Sequence, residues 1–248
     1  MSDNPIDLNV DLGEGGPNDA ELIAHASSAN IACGGHAGNE STIRNAIGTC
    51  LHHGVAIGAH PGHEDPEHFG RRVMDLPPDQ IRDALVRQLE RFIRIAGNAG
   101  AKVHHVKLHG ALYHQANQDS GLARVLATAI SKLLPGCQIY TPATGAFATA
   151  ATACDLVVVP EAFADRRYAP DGQLTPRALP GSVIMETDSS VSQALDIARH
   201  QRVRTLDGIW LPLSARTLCI HSDTPHALHL LQALAQAFTR HHIRLQAP

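Results

Sequence analysis

The amino-acid sequence predicts an α/β fold, an irregular seven-stranded barrel of alternating strands and helices. Seven short, apolar, β-prone runs alternate with longer runs of helical periodicity, which is the pattern of repeated βα units. Most of these runs also end on, or lead directly into, a histidine, a carboxylate or a small polar side chain. An α/β barrel assembles its site where the C-terminal ends of its strands converge, so this pattern indicates an enzyme. Seven runs, rather than eight, indicate an incomplete or irregular barrel.

The predicted strands are the seven apolar runs, at residues 6–11, 28–32, 55–60, 105–107, 138–140, 157–161 and 218–221. The predicted helices lie between them, at residues 40–53, 78–99, 120–134, 189–201 and 224–241. In the helix over 78–99, Pro78 stands in the first turn, where its missing N–H costs nothing. Ile81, Leu85 and Leu89 then recur at helical spacing, which is typical of an amphipathic helix that packs on a core.

Three segments depart from this alternation. Residues 61–78 and 162–182 are long polar stretches, and loops of that length are usually lids or binding loops. Residues 203–213 predict a β-hairpin with a two-residue turn at Asp207-Gly208. Because no repeat, low-complexity tract or linker divides the sequence, we expect a single domain over residues 1–248.

Composition narrows the class of protein. The net charge is −4, with acids and bases interspersed, which gives no electrostatic case for a nucleic-acid or membrane-surface partner. Five cysteines are scattered through the chain, which indicates reduced thiols rather than a disulfide framework. The N-terminus does not resemble a signal peptide, and no apolar run approaches the ~18 residues of a membrane span. We therefore expect a cytoplasmic protein.

The densest acidic cluster lies in the first predicted strand. Strand alternation puts Asp7, Asn9 and Asp11 on one face, so they should point into the barrel together. Carboxylates there are costly unless they are paired, hydrogen-bonded or bound to metal. They could form a polar core layer, but proximity to the C-terminal end of the strand favours a functional role for Asp11 and for Glu14.

Residues 28–39 predict a strand followed by a glycine-rich turn into a helix. Such glycines let a ligand approach the backbone, and the helix N-terminus offers free N–H groups to an anion. A tight βα turn explains the glycines equally well, and His36 favours the functional interpretation. The sequence has no GK[ST] motif, so the turn is not a Walker A loop.

His60 and His109 each follow a predicted strand. With Asp11 they form a set that suits a divalent metal with open positions for water, or that could deprotonate a water without metal. No HxH or HExxH spacing supports the metal. Lys107 lies two residues before His109 and should share its face. A buried lysine requires an anionic partner, which predicts a phosphate- or carboxylate-binding role.

The two long loops carry arginines suited to bidentate binding of an anion. Arg71 and Arg72 lie in the first loop, and Arg166 and Arg177 lie in the second. The alternative for each is a solvated surface position. Cys33 could be a nucleophile, but a small buried thiol is the preferred interpretation because nothing upstream would activate it.

These motifs resemble the LamB/YcsF family, whose bacterial members are the A component of ATP-dependent 5-oxoprolinase. The resemblance runs along the whole chain in the family's order. Gly35, Asn39 and Leu108 depart from residues common in the family. The stretches that carry the resemblance are 7–14, 28–34, 36–38, 54–61, 69–72, 105–107, 109–113, 163–166, 180–181 and 219–225.

The resemblance implies a barrel of the glycoside hydrolase/deacetylase type, akin to carbohydrate deacetylases and α-mannosidase-type hydrolases. It implies that 5-oxo-L-proline, ATP and water give L-glutamate, ADP and phosphate, with ATP as cosubstrate and with partner subunits B and C. Two alternatives stay open: a stand-alone metal-dependent hydrolase or deacetylase that uses Asp11, His60 and His109, and a non-catalytic subunit that binds a small acid.

The strand ends and the resemblance together give the candidate site residues. The candidate catalytic residues are Asp11, Glu14, His36, His60, Lys107, His109, Glu161 and His221. The candidates for binding substrate or phosphate are Asn30, Arg71, Arg72, Asp165, Arg166 and Arg177.

Overall fold

The computed structural model describes residues 5–16, 18–223 and 226–248. Its main feature is a closed barrel of seven parallel strands, in which the last strand pairs with both the first and the sixth. The predicted seven-stranded α/β barrel is therefore confirmed. The barrel strands are β1 (Asp7–Leu12), β2 (Ser28–Ala32), β3 (Ala56–His60), β4 (His105–Val106), β5 (Gln138–Thr141), β6 (Val157–Phe163) and β9 (Thr217–Ile220).

The helices follow the strands and cover the outside of the barrel. Within the described ranges, none of them is long and apolar enough to cross a membrane. They are α1 (Asp19–Ile23), α2 (Glu40–His53), α3 (Pro78–Asn98), α4 (Gly110–Gln118), α5 (Ser120–Leu133), α6 (Ala146–Ala153), α7 (Thr187–His200) and α8 (Ala227–Arg240).

Helices α1, α4 and α6 are absent from the sequence prediction, and each omission has a local reason. Helix α1 has five residues, too few to show a period. Helix α4 begins at Gly110, directly after His109, so the strand-end pattern conceals its start. Helix α6 consists largely of alanine and threonine and lacks a clear apolar stripe. Residues 224–225 of the helix predicted over 224–241 lie outside the described residues.

The irregular segments differ from the prediction in detail. Strand β6 continues to Phe163, so the second long loop begins two residues later than predicted. The hairpin joins β7 (Arg202–Arg204) to β8 (Trp210–Pro212). Its turn has three residues rather than two, because the Thr205 N–H donates to the Ile209 carbonyl across 206–208. Gly208 supplies the positive φ of 86° that this turn requires.

Side chains alternate along β1 between an apolar outer face and a polar barrel interior. Leu8 and Val10 are fully buried in the hydrophobic core between the strands and the helices. Asp7, Asn9 and Asp11 point inward, as the alternation predicts, and are also buried. The barrel interior is therefore a stack of hydrogen-bonded polar layers rather than an apolar core.

The layer at the N-terminal end of the barrel strands is built around Asp7. Its Oδ2 accepts hydrogen bonds from Ser28 Oγ at 2.7 Å and from Thr217 Oγ1 at 2.6 Å. Burial raises the pKa of Asp7, although these hydroxyl donors oppose the shift. The polar-core interpretation therefore fits Asp7, which lies at the opposite end of β1 from Asp11.

Candidate active site

The C-terminal ends of the strands bring six predicted residues together at one mouth of the barrel: Asp11, His60, Lys107, His109, Glu161 and His221. Lys107 Nζ lies 3.0 Å from Asp11 Oδ1 and 2.9 Å from Glu161 Oε1. His60 Nε2 lies 3.5 Å from Asp11 Oδ2 and 3.0 Å from His109 Nδ1. Ligand atoms of His221 and Asp11 approach within 4.8 Å of each other. Strands and strand-end loops from five βα units thus supply a single cluster.

Lys107 is the centre of this cluster. Burial alone would lower the pKa of its ammonium, but the Asp11 and Glu161 carboxylates outweigh burial and hold that pKa well above 10.5. Burial also raises the pKa of Asp11, but Lys107 and His60 outweigh it and hold the pKa of Asp11 well below 3.8. The ammonium and the Asp11 carboxylate therefore stay charged across the neutral range.

Two further side chains touch the charged cluster, and sequence reasoning missed both. Cys219 Sγ lies 2.8 Å from Lys107 Nζ. Burial raises the pKa of Cys219 well above 9.0, so the group is a neutral thiol. Burial, followed by the adjacent Glu161 carboxylate, likewise raises the pKa of Tyr113. Cys219 could have been found from its spacing of two from His221, and Tyr113 from its spacing of four from His109.

Glu14 lies among three histidines at the edge of the cluster. Its Oε1 is 3.0 Å from His36 Nε2, 3.3 Å from His109 Nδ1 and 3.9 Å from His60 Nε2. Burial and then the neighbouring Asp11 carboxylate raise the pKa of Glu14 well above 4.5. Burial and then His60 lower the pKa of His36 to about 3. His36 is therefore neutral, and its ring stacks on His109 at a centroid distance of 3.6 Å.

Backbone carbonyls fix the tautomers of two of these histidines. His60 Nδ1 lies 2.8 Å from the Lys107 carbonyl oxygen, and His109 Nε2 lies 2.9 Å from the Phe69 carbonyl oxygen. A carbonyl oxygen can only accept, so each of these ring nitrogens carries the proton that it donates. In the neutral rings, His60 Nε2 and His109 Nδ1 are then unprotonated. Both unprotonated nitrogens face Glu14.

Asp165 and Asn30, predicted to bind substrate or phosphate, lie behind the cluster instead of lining its cavity. Asp165 is buried and lies 3.0 Å from His221 Nδ1, while the His221 backbone N–H donates to the same carboxylate. Asn30 Nδ2 donates to Asp11 Oδ1 at 2.8 Å and to Asn9 Oδ1 at 2.7 Å. These contacts orient His221 and Asp11, respectively.

A cavity of about 380 Å³ opens above the cluster. Lys107, His60, His109 and His221 form part of its floor. Its rim includes His114, which sequence reasoning missed because the residue lies within the unpredicted helix α4. The volume is in the range of small-molecule sites.

Arginines from both long loops reach the rim of the cavity. Arg71 and Arg177 line it, and Asp223 connects them, with Oδ2 at 2.7 Å from Arg71 Nη2 and 3.9 Å from Arg177 Nη1. Arg166 also lines the cavity but is buried, and its Nη2 donates to the Thr175 carbonyl at 2.6 Å. Arg72 is exposed and does not line the cavity, so the structure separates it from the other three.

Comparison with known proteins places the chain in a sequence family and a fold group. The model of the LamB/YcsF family matches residues 6–248. A crystal structure of a lactam utilization protein from Thermus thermophilus is 36% identical, with a TM-score of 0.92 over 98% of this chain and 100% of that chain. A family 4 carbohydrate esterase from Streptomyces lividans is 12% identical, with a TM-score of 0.50 over 99% of this chain and 93% of that chain. The second likeness shows the deacetylase type of barrel alone.

Replacing Lys107 tests whether its charge stabilises the fold. Lys107→Met would leave the buried Asp11 and Glu161 carboxylates together without their cation. We expect the free energy of unfolding to fall by about 3–5 kcal/mol at neutral pH, the cost of breaking a buried ion pair. Denaturant unfolding measures it, with the exposed Lys102→Met as the matched control. Adding Glu161→Gln to Lys107→Met should restore part of the loss, whereas a single variant as stable as the wild type would contradict the pairing.

Proposed function

The chain belongs to the LamB/YcsF family, and we propose that it acts as the A component of an ATP-dependent 5-oxoprolinase. It would open the lactam ring of 5-oxo-L-proline to give L-glutamate while ATP is hydrolysed to ADP and phosphate. The observation that carries the proposal is the buried Lys107, flanked by carboxylates and histidines, at the floor of a cavity with an arginine rim. The 36% identical lactam utilization protein supports a lactam as the substrate class.

The chemistry of a lactam explains the need for ATP. A five-membered lactam is an unstrained amide and a poor electrophile, so water attacks it slowly. Phosphorylation of the carbonyl oxygen creates a leaving group and lets water attack the ring carbon. Such a site requires a cation for the developing negative charge, a group that activates water, and a binding site for the substrate carboxylate.

Lys107 fits the first requirement. Its ammonium lines the cavity, and its raised pKa keeps it charged at neutral pH. Asp11 and Glu161 hold it in place, so little reorganisation would be needed when charge develops on the lactam oxygen or on a phosphoryl group. Phe163 packs beside it, with Lys107 Nζ 5.5 Å from the ring centroid, and limits the space on that side.

The paired histidines fit the second requirement. His60 Nε2 and His109 Nδ1 are unprotonated in the neutral rings, and both residues line the cavity. A water molecule beside them could lose its proton to either nitrogen as it attacks the ring carbon. Asp11 Oδ2, 3.5 Å from His60 Nε2, would stabilise the imidazolium that forms.

The arginine rim fits the third requirement. Arg71 and Arg177 approach each other across the cavity through Asp223, and each has N–H groups that can bind a carboxylate. The Asp223 carboxylate lies between the two arginines, in the position that we propose for the substrate carboxylate. A substrate carboxylate would replace that contact.

Reconstitution tests the proposed function. The sequence has no P-loop, so we expect the purified chain alone to show little or no ATP-dependent turnover of 5-oxo-L-proline. Adding subunits B and C should produce L-glutamate and phosphate in equal amounts, as measured by coupled assays of both products. Full turnover by the isolated chain would refute the need for partner chains. Absence of turnover in the complete mixture, with 5-oxo-L-proline still bound, would favour a non-catalytic small-acid-binding subunit.

Replacing one rim arginine tests the carboxylate site. We expect Arg177→Met to raise the KM for 5-oxo-L-proline by about 10–100-fold, because a hydrogen bond between charged groups contributes roughly 1.5–3 kcal/mol. The kcat should change little, since the proposed role of Arg177 is to bind the substrate carboxylate and not the reacting amide. Steady-state kinetics of the reconstituted enzyme measures both parameters. The matched control is Arg167→Met, since Arg167 neighbours a different surface groove. An increase confined to the KM for ATP would instead assign Arg177 to phosphate.

A further inference from the structure

Two histidine side chains at the barrel mouth meet through their unprotonated nitrogens. His60 Nε2 and His109 Nδ1 lie 3.0 Å apart, and the two rings are nearly perpendicular, at 89°. His60 Nδ1–H donates to the Lys107 carbonyl, and His109 Nε2–H donates to the Phe69 carbonyl. Two lone pairs repel at this distance, and a cation bound to both nitrogens would relieve that repulsion. That cation is either a shared proton or a metal ion.

Carboxylates distinguish the two possibilities. A shared proton would account for the contact between the nitrogens, but it requires no other ligands. Here Glu14 Oε1 lies 3.3 Å from His109 Nδ1 and 3.9 Å from His60 Nε2. Asp11 Oδ2 lies 3.5 Å from His60 Nε2, and ligand atoms of Asp11, Glu14 and His60 all lie within 4.8 Å of one another. His109 Nδ1 and two carboxylate oxygens therefore lie 3.0–3.9 Å from His60 Nε2, and the four residues come from three segments of the chain.

The separations are those of a metal coordination sphere. Ligand atoms bound at about 2.1 Å in a tetrahedral arrangement lie roughly 3.4 Å from one another. The four measured separations run from 3.0 to 3.9 Å. A small inward movement of the Glu14 side chain would bring its oxygen to the same distance as the others.

The surroundings of the histidines also match those of metal ligands. A histidine that binds metal usually donates its other N–H to a carbonyl or carboxylate, which fixes the ring. His60 and His109 both do so, and both are buried, with 1% and 4% of their surface exposed. His36 orients Glu14, since its Nε2 contacts Glu14 Oε1 at 3.0 Å.

We propose that His60 Nε2, His109 Nδ1, Glu14 Oε1 and Asp11 Oδ2 bind a divalent first-row transition ion such as Zn²⁺. Mixed imidazole and carboxylate ligands favour such an ion over Mg²⁺, which prefers oxygen. Asp11, His60 and His109 line the cavity, so an ion that expands from four to five ligands could bind water on the cavity side. A bound ion would activate water in place of these two nitrogens, which could then no longer accept its proton. The site goes beyond the proposed function, because its occupation depends on neither the lactam nor ATP.

Metal binding by the full-length chain tests this site directly. After treatment with a chelator, titration with Zn²⁺ in a calorimeter should show one ion per chain, with Mg²⁺ much weaker. We expect Glu14→Gln and His109→Gln to weaken Zn²⁺ binding about 100-fold or more, since loss of even an outer partner of a ligand costs about 10–100-fold. His63→Asn is the matched control, because His63 is buried but hydrogen-bonded to Gln115 outside the cluster. Glu14→Gln keeps the size of the side chain, and thermal unfolding checks its folding.

A measurement on the wild-type chain makes the test independent of the variants. Diffraction from a Zn²⁺-soaked crystal, recorded at the zinc absorption edge, should give an anomalous peak between the four ligand atoms. Absence of stoichiometric binding, a peak elsewhere, or unchanged binding in both ligand variants would overturn the proposal and assign a shared proton to the histidine pair. These measurements contain no ATP, lactam or partner chain. Their failure would therefore leave the 5-oxoprolinase proposal standing, and failure of reconstituted turnover would leave the metal site standing.

Discussion

The pairing of a buried ammonium with two buried carboxylates is the constraint on which the rest of the site depends. Lys107 follows β4, Asp11 belongs to β1 and Glu161 belongs to β6, so three strands that are distant in sequence must present their charges to one point. Removing these charges from water carries a large desolvation penalty that only close pairing offsets. The same geometry orders Asn30, Cys219 and His60 around the cluster, because each contacts Lys107 or Asp11.

This constraint divides the site into two chemically distinct halves. One half is the ion cluster on the barrel floor, in which charge is fixed by pairing. The other half is the wall formed by His36, His60, His109 and Glu14, in which burial keeps His36 neutral and raises the pKa of Glu14. A small acid in the cavity would contact a fixed cation on one side and unprotonated nitrogens on the other. Imidazole nitrogens that accept hydrogen bonds thus lie within a few ångströms of the paired charges.

The sequence was sufficient for the barrel and for the strand-end residues, and physical reasons explain why. Parallel strands in a barrel all end at the same mouth, so His60, His109 and Glu161 could be placed together without knowing any distance. Strand alternation likewise placed Asp7, Asn9 and Asp11 inside the barrel. Which of these side chains stabilise the fold and which belong to the site could not be predicted from the sequence. It depends on depth along the barrel axis, which follows from register between strands.

The loops and the partners of buried groups could not be predicted in the same way. Arg71 and Arg72 are adjacent in sequence, yet only Arg71 lines the cavity, because the direction of a side chain in an irregular loop has no period. Cys219 looked like an ordinary apolar residue of a strand, and its contact with Lys107 arises from the closure of the barrel. The tautomers of His60 and His109 follow from carbonyls at Lys107 and Phe69, which only the folded chain brings within reach.

We propose that Lys107 and the arginine rim together bind one small lactam acid. A crystal structure of the chain with 5-oxo-L-proline tests this most directly. The expected result is a lactam oxygen about 3 Å from Lys107 Nζ, within charge-assisted hydrogen-bond distance, and a carboxylate on Arg71 and Arg177. A ligand bound outside this cavity, or bound within it with its carboxylate on Lys107 and its ring toward the arginines, would contradict the account.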